Sequence, residues 1–135
     1  MADPKPTLID LGDTDLRLEN PLEDIRHRTV HDRVGEKIGE VEGLIIDEGE
    51  RKVRFIRIGS GGFLGLGRTE RLVPVDAITR IGATDVHIDR TREHVAGSSP
   101  YDPAIVDRVE FYRDLYNHYG IQPFWTPGYV YPPIW

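Results

Sequence analysis

The sequence contains no cysteine. Disulfides, thiol nucleophiles and cysteine-ligated zinc are thereby excluded, and nothing fixes the redox compartment. Long apolar runs are missing as well: no stretch of eighteen apolar residues occurs, and the opening MADPKPTLID holds no apolar segment of signal-peptide length. Neither a membrane-spanning helix nor a secretory leader is therefore expected. Positive charge is short, with 17 Lys and Arg against 23 Asp and Glu, a net charge of -6 and a pI near 5.3. A general nucleic-acid binder gains affinity by neutralising phosphates with lysine and arginine, so this balance speaks against nucleic acid and anionic membrane surfaces alike. The expectation is a soluble, cytoplasmic protein that does not insert into a membrane.

At 135 residues the chain suits one domain, which at this size buries roughly two thirds of its unfolded surface. Residues 1–24 carry Asp3, Asp10, Asp13, Asp15, Glu19, Glu23 and Asp24 against Lys5 and Arg17, with prolines at 4, 6 and 21. Burial of so little apolar surface does not offset ordering entropy, which predicts an acidic, mobile arm, with Leu8, Ile9, Leu11, Leu16 and Leu18 available for local docking.

From Ile25 the pattern is one of short strands cut by glycine and charged turns. Residues 29–31 read as a strand, and 32–37 as a hairpin connection with Gly35 where positive φ is wanted. In the longer strand 38–47 the apolar residues change parity, Ile38 then Val41 then Leu44, Ile45 and Ile46, with Gly39 and Gly43 between. That pattern predicts a bulge or a barrel corner. Residues 52–58 are apolar on both faces, Val53 and Phe55 on one, Ile56 and Ile58 on the other. Such a strand lies centrally or has its outer face covered. Residues 72–75, 80–82 and 86–89 complete about six short strands, the pattern of a small closed or half-closed antiparallel barrel.

The glycine-rich stretch 59–75, GSGGFLGLGRTERLVPV, admits two readings. Gly62, Gly67, Arg68 and Thr69 spell G-x-x-x-x-G-R-T, one residue from a phosphate-binding loop. That loop needs a lysine and a helix at its end. Here arginine stands in for lysine, and Leu72-Val73-Pro74-Val75 follows, a β-branched tetrad in which proline leaves no room for a helix. A dinucleotide fingerprint fails too, because Leu64 takes its third glycine position. The supported reading is an apolar loop that carries Phe63, Leu64 and Leu66 back under or beside the sheet.

Beyond it, residues 91–96 predict one or two helical turns, and Asp102 with Pro103 a second helix start. Ile105, Val109, Tyr112, Tyr116 and Tyr119 form one stripe, and Gly120 stops the helix. Residues 121–135, IQPFWTPGYVYPPIW, hold four prolines among Phe124, Trp125, Tyr129, Tyr131 and Trp135. Proline there favours extended chain.

The runs RTVHDRVGEKIGEVEGLIID, GGFLGLGRTERLVPVDAI and VHIDRTREHVAGSSPYD, within residues 25–102, resemble the PRC-barrel domain. That domain occurs in the cytoplasmic part of the photosynthetic reaction-centre H subunit and the C-terminal part of the ribosome maturation factor RimM. Val75 stands where an aromatic residue is common after the proline. The resemblance implies a small β-barrel serving as a docking and assembly module, with no catalytic motif and no cofactor. The H subunit carries a membrane-spanning helix ahead of its barrel; none is read here. The organisation expected is an arm (1–24), a PRC barrel (25–96), a linker with an amphipathic helix (97–120) and an aromatic, proline-rich tail (121–135).

No serine has the G-x-S-x-G setting of a hydrolase, and Ser60 is most simply a turn residue. No enzyme is expected. Asp85, His87 and Asp89 alternate on one strand face, where imidazole and carboxylate suit zinc or manganese; the competing reading is a solvated face. Histidines at 27, 31, 87, 94 and 118 make no H-x-x-x-H pair. Asp47, Glu48 and Glu50 lack the oxygen spacing of a calcium loop. The candidate interaction residues are Phe63, Leu64, Leu66, Tyr112, Tyr116, Phe124, Trp125, Tyr129, Tyr131 and Trp135. The tail either wraps its own barrel or reaches a neighbour. The expected function is non-enzymatic self-association, as a dimer or higher homo-oligomer, or docking on a protein partner, a membrane-protein complex among them. Alternatives are a small molecule or metal held by the 59–67 loop or the Asp85 face, and, by analogy, a ribosomal accessory role.

Overall fold

The computed structural model describes residues 8–60, 69–102 and 109–135. Phe63, Leu64 and Leu66, like Pro103 and Ile105, lie outside the described residues. Seven strands form one sheet: β1 (Leu8–Asp10), β2 (Thr29–His31), β3 (Lys37–Asp47), β4 (Val53–Ser60), β5 (Thr69–Pro74), β6 (Ile78–Ile81) and β7 (Asp85–Ile88). Two helices follow, α1 (Arg92–Ala96) and α2 (Val109–Tyr119). Thr69 opens a strand rather than a helix, so no helical amides stand after Arg68 to receive a phosphate.

The sheet runs β5-β4-β3-β2-β7-β6, with β1 also on β3. Strand β3 is long enough to serve both β2, through Lys37, Gly39 and Glu40, and β1, through Ile45, Ile46 and Asp47. Its pairing with β4 shifts register between Val41 and Gly43 and again between Ile45 and Ile46, which bears out the bulge read from the change of parity. Gly39 has φ 154, and a Cβ there would stand 2.4 Å from the Gly59 carbonyl oxygen. Only glycine allows that approach.

Three features differ from the antiparallel barrel of about six strands. The seventh strand, β1, comes from the segment expected to be a mobile arm: Leu8 and Leu11 are buried, and Asp10 lies 3.2 Å from the Nε of Arg57 on β4. A buried ion-paired aspartate joins two leucines there, so the acidic composition is partly spent in the fold. The second difference is direction, since β2 and β7 pair in parallel. Three antiparallel steps lead from β2 to β5, and the turn Val75–Ala77 after Pro74 carries the chain into β6 without reversing it. The β6–β7 hairpin therefore meets β2 with β7 running the same way. Third, no pairing joins β5 to β6 among the described residues, and the sheet is not closed. The outer edge of β5 meets another part of the chain: Tyr101 N–H donates to the Glu70 carbonyl at 2.8 Å, and Arg71 bridges Pro100.

The core is one cluster that includes Ile25, Val41, Leu44, Phe55, Ile56, Leu72, Val73 and Val86. Helix α2 adds Phe111, Tyr112, Leu115, Tyr116 and Tyr119, all buried. Tyr112 and Tyr116 set their rings 5.3 and 4.9 Å from that of Phe55, and the Tyr119 hydroxyl donates to the Leu72 carbonyl at 3.0 Å. Gly120, at φ 67, ends the helix, and the Ile121 N–H closes back on the Tyr116 carbonyl. Residues 121–135 then contain neither helix nor strand. No helix among the described residues is long and apolar enough to cross a membrane.

Candidate functional site

Strand β4 places a charged residue, Arg54, inside an apolar run, and its side chain is only 3% exposed. Two groups of partners make this tolerable. From the end of β3, Asp47 Oδ2 accepts from Arg54 Nε at 2.7 Å, and from the turn after it Glu50 Oε1 lies 3.6 Å from the guanidinium. From the tail come Phe124, Tyr131 and Tyr129, whose ring centres lie 4.3, 5.2 and 5.9 Å from the guanidinium carbon. A desolvated guanidinium over aromatic faces is held by their quadrupoles as well as by the carboxylate. The covered strand face predicted for 52–58 is thus real.

The tail is tied by its hydroxyls too. Tyr131 Oη stands 2.6 Å from Glu23 Oε1 and 3.0 Å from the Val53 carbonyl, while Val53 N–H donates to the same Glu23 oxygen. Tyr129 donates to Asp76 Oδ2 at 2.7 Å. Burial, then the adjoining carboxylate, pushes both phenols far above their ordinary range. Burial likewise raises the Asp76 carboxyl, against the lowering effect of the Tyr129 hydrogen bond. The tail's inward surface therefore acts as a clamp, and the hydroxyls of Tyr129 and Tyr131 are spent on its own chain.

Of the sequence-predicted interaction residues, Tyr112 and Tyr116 lie in the core. Phe124, Tyr129 and Tyr131 surround Arg54; Trp125 packs edge-on to Tyr116 and Phe124; Trp135 stacks on Tyr131 at 6.2 Å. All five tail rings keep part of their surface exposed. Two of the most exposed large apolar side chains, Leu22 at 72% and Val130 at 79%, directly precede Glu23 and Tyr131 in the sequence. Arg54 and Glu23 were not among the expected residues. The signal for Arg54 was present, a charge between Val53 and Phe55 in a strand apolar on both faces; Glu23 is one acid among many in residues 1–24.

The Asp85 face differs from expectation in one member. Asp89 follows β7 and pairs with Arg90, leaving the set. His31 joins instead, because the parallel register sets it opposite His87. Asp47 is engaged by Arg54 and by the Glu50 N–H, so the acidic turn is a structural one. His94 and His118 donate from Nε2 to each other's carbonyl, at 2.9 and 2.7 Å, and so join α1 to α2.

Residues 19–95, more than half of the chain, match the PRC-barrel domain. The chain belongs to the PRC-barrel domain family. No curated protein matches it. The PRC-barrel match starts ahead of Pro21–Glu23, so it includes Glu23 and Arg54 but not the tail that covers them. The clamp thus joins the family's barrel to a segment beyond it.

Proposed function

We propose that this PRC-barrel protein is a non-enzymatic docking and assembly module that self-associates, or seats on a protein partner, through the outer surface of its aromatic tail. The observation that carries this reading is the partly exposed row of tail aromatics, together with Leu22 and Val130 at 72% and 79% exposed. Tyrosine and tryptophan anchored on one side and open on the other supply large contact area at low entropic cost. Because the clamp already orders the segment, a partner meets a preformed surface. A cytoplasmic setting belongs to this reading, with a membrane-protein complex among the partners it allows.

Sedimentation velocity across a concentration series tests it. The wild-type chain is expected to associate, and Leu22→Glu with Val130→Glu to shift it to monomer while leaving the melting temperature within a few degrees, since both side chains are mostly solvated. A wild-type chain that stays monomeric throughout, with the double variant indistinguishable from it, would sink self-association.

A further inference from the structure

We propose that His31, Asp85 and His87 form a binding site for a divalent first-row transition metal, with Zn2+ the fitting ion. His31 and His87 occupy the same rung of the parallel β2–β7 pair, their rings stacked 4.9 Å apart at 19°. Asp85 precedes His87 by two residues and shares its face of the strand. Asp85 Oδ2 lies 3.0 Å from His87 Nε2, and one ligand-type atom from each of the three residues falls within 4.8 Å of the others. Two imidazoles and a carboxylate are a donor set that zinc takes, and donors on a tetrahedral zinc stand about 3.3 Å apart. Because the stacked rings aim their lone pairs side by side, binding requires the partly exposed imidazoles to turn about their side-chain torsions until both nitrogens face the ion. All three are open enough for an ion to enter and for water to complete its coordination.

Proton bookkeeping points the same way. His87 Nε2 faces both Arg80, at 2.9 Å from its guanidinium, and Asp85. One ring nitrogen accepts from the arginine or donates to the carboxylate, not both. In either state one contact is left to water. A metal ion taken by the nitrogen lone pair and the carboxylate oxygen satisfies both at once. Arg80 is the resident cation of this cluster, and its exposed side chain is free to swing into water. Bound metal would clip β2 to β7, the pairing that links the two parts of the sheet.

The test is zinc titration of the untagged full chain by calorimetry in a non-chelating buffer, with imidazole resonances followed by NMR. One equivalent is expected to bind, shifting the His31 and His87 signals and not those of His94 and His118. His31→Ala, His87→Ala and the near-isosteric Asp85→Asn should each weaken binding at least about tenfold. Arg80→Gln should tighten it by roughly threefold or more by removing the competing charge. His27→Asn, at an exposed position with φ 76 that asparagine tolerates, should change nothing. Circular dichroism of each variant separates lost binding from lost fold, with Asp85→Asn deciding where a histidine variant unfolds. Binding weaker than about 1 mM, affinity indifferent to these replacements, or shifts centred on His94 and His118 would overturn the proposal.

Discussion

Two arginines sit in opposite circumstances. Arg54 is 3% exposed, with an aspartate on one side and three aromatic rings of the tail around it. Arg80 lies in solvent beside a histidine and an aspartate whose hydrogen-bonding demands it cannot all meet. A cation is sealed when a sequence-distant segment closes over the ion pair that its sheet neighbours supply, and remains exchangeable when its sheet neighbours alone surround it. The first arrangement holds the protein together, while the second leaves room for something from outside.

The comparison breaks most visibly at Arg54. Arg54→Ala removes one half of a buried ion pair and leaves Asp47 uncompensated, so denaturant unfolding should show a loss of about 3–5 kcal/mol. A loss below about 1 kcal/mol would mean that the aromatic clamp contributes packing alone.

Asp32 sharpens the contrast, because it is the sealed group next to the open histidine cluster. Its buried carboxylate accepts from the N–H groups of Val34 and Glu36 through Oδ1 and of Arg92 through Oδ2, at 2.9 to 3.0 Å. Burial pushes its pKa up, but the N–H groups of Glu36, Arg92, Val34 and Gly35 outweigh that and hold it below the usual carboxylate range. A folded pKa below the unfolded one adds stability above the unfolded value, about 3.9, that is lost as pH falls through the folded value. Asp32→Ala should cost about 2–3 kcal/mol at pH 7, and the difference from wild type should shrink toward pH 2. A gap that stays constant with pH would contradict the ionised role.

The smallest effect belongs to Asp76, where the sign reverses. Its carboxyl is raised by burial, so the stability tied to its protonated form is full below the unfolded pKa and fades as pH rises through the folded one. Asp76→Asn keeps an acceptor for Tyr129 and discards the charge. At pH 7 the variant should melt at or slightly above the wild-type temperature, with the advantage vanishing in acid. Clear destabilisation at neutral pH would show that the Tyr129 bond needs the ionised oxygen.

Much of this was legible from residue pattern. The parity change around Gly39 and Gly43 gave the bulged β3, Gly35 the hairpin, the tyrosine stripe α2, and the two apolar faces of 52–58 a strand with a cover. These are local signals, with periods of two and near four that the backbone imposes. What stayed hidden depends on pairing between distant segments. The strand Leu8–Asp10 holds its place through Asp47, Ile46 and Ile45 of β3 and through Arg57, and composition carries no trace of that. His31 meets His87 only because the chain fails to reverse between β5 and β6, a matter of topology. The tail aromatics announced themselves, but their target, Arg54 with Glu23 nearby, required the fold.

The rung between β2 and β7 also governs how the chain reaches its fold. Strands β2 to β5 form by successive hairpins and the ribbon β6–β7 by one more, all from neighbouring segments. Joining them brings Thr29 to Asp85, more than fifty residues apart, across an interval of three residues a side. Loop-closure entropy must be met there before many contacts reward it, so this short seam is expected to form late in assembly.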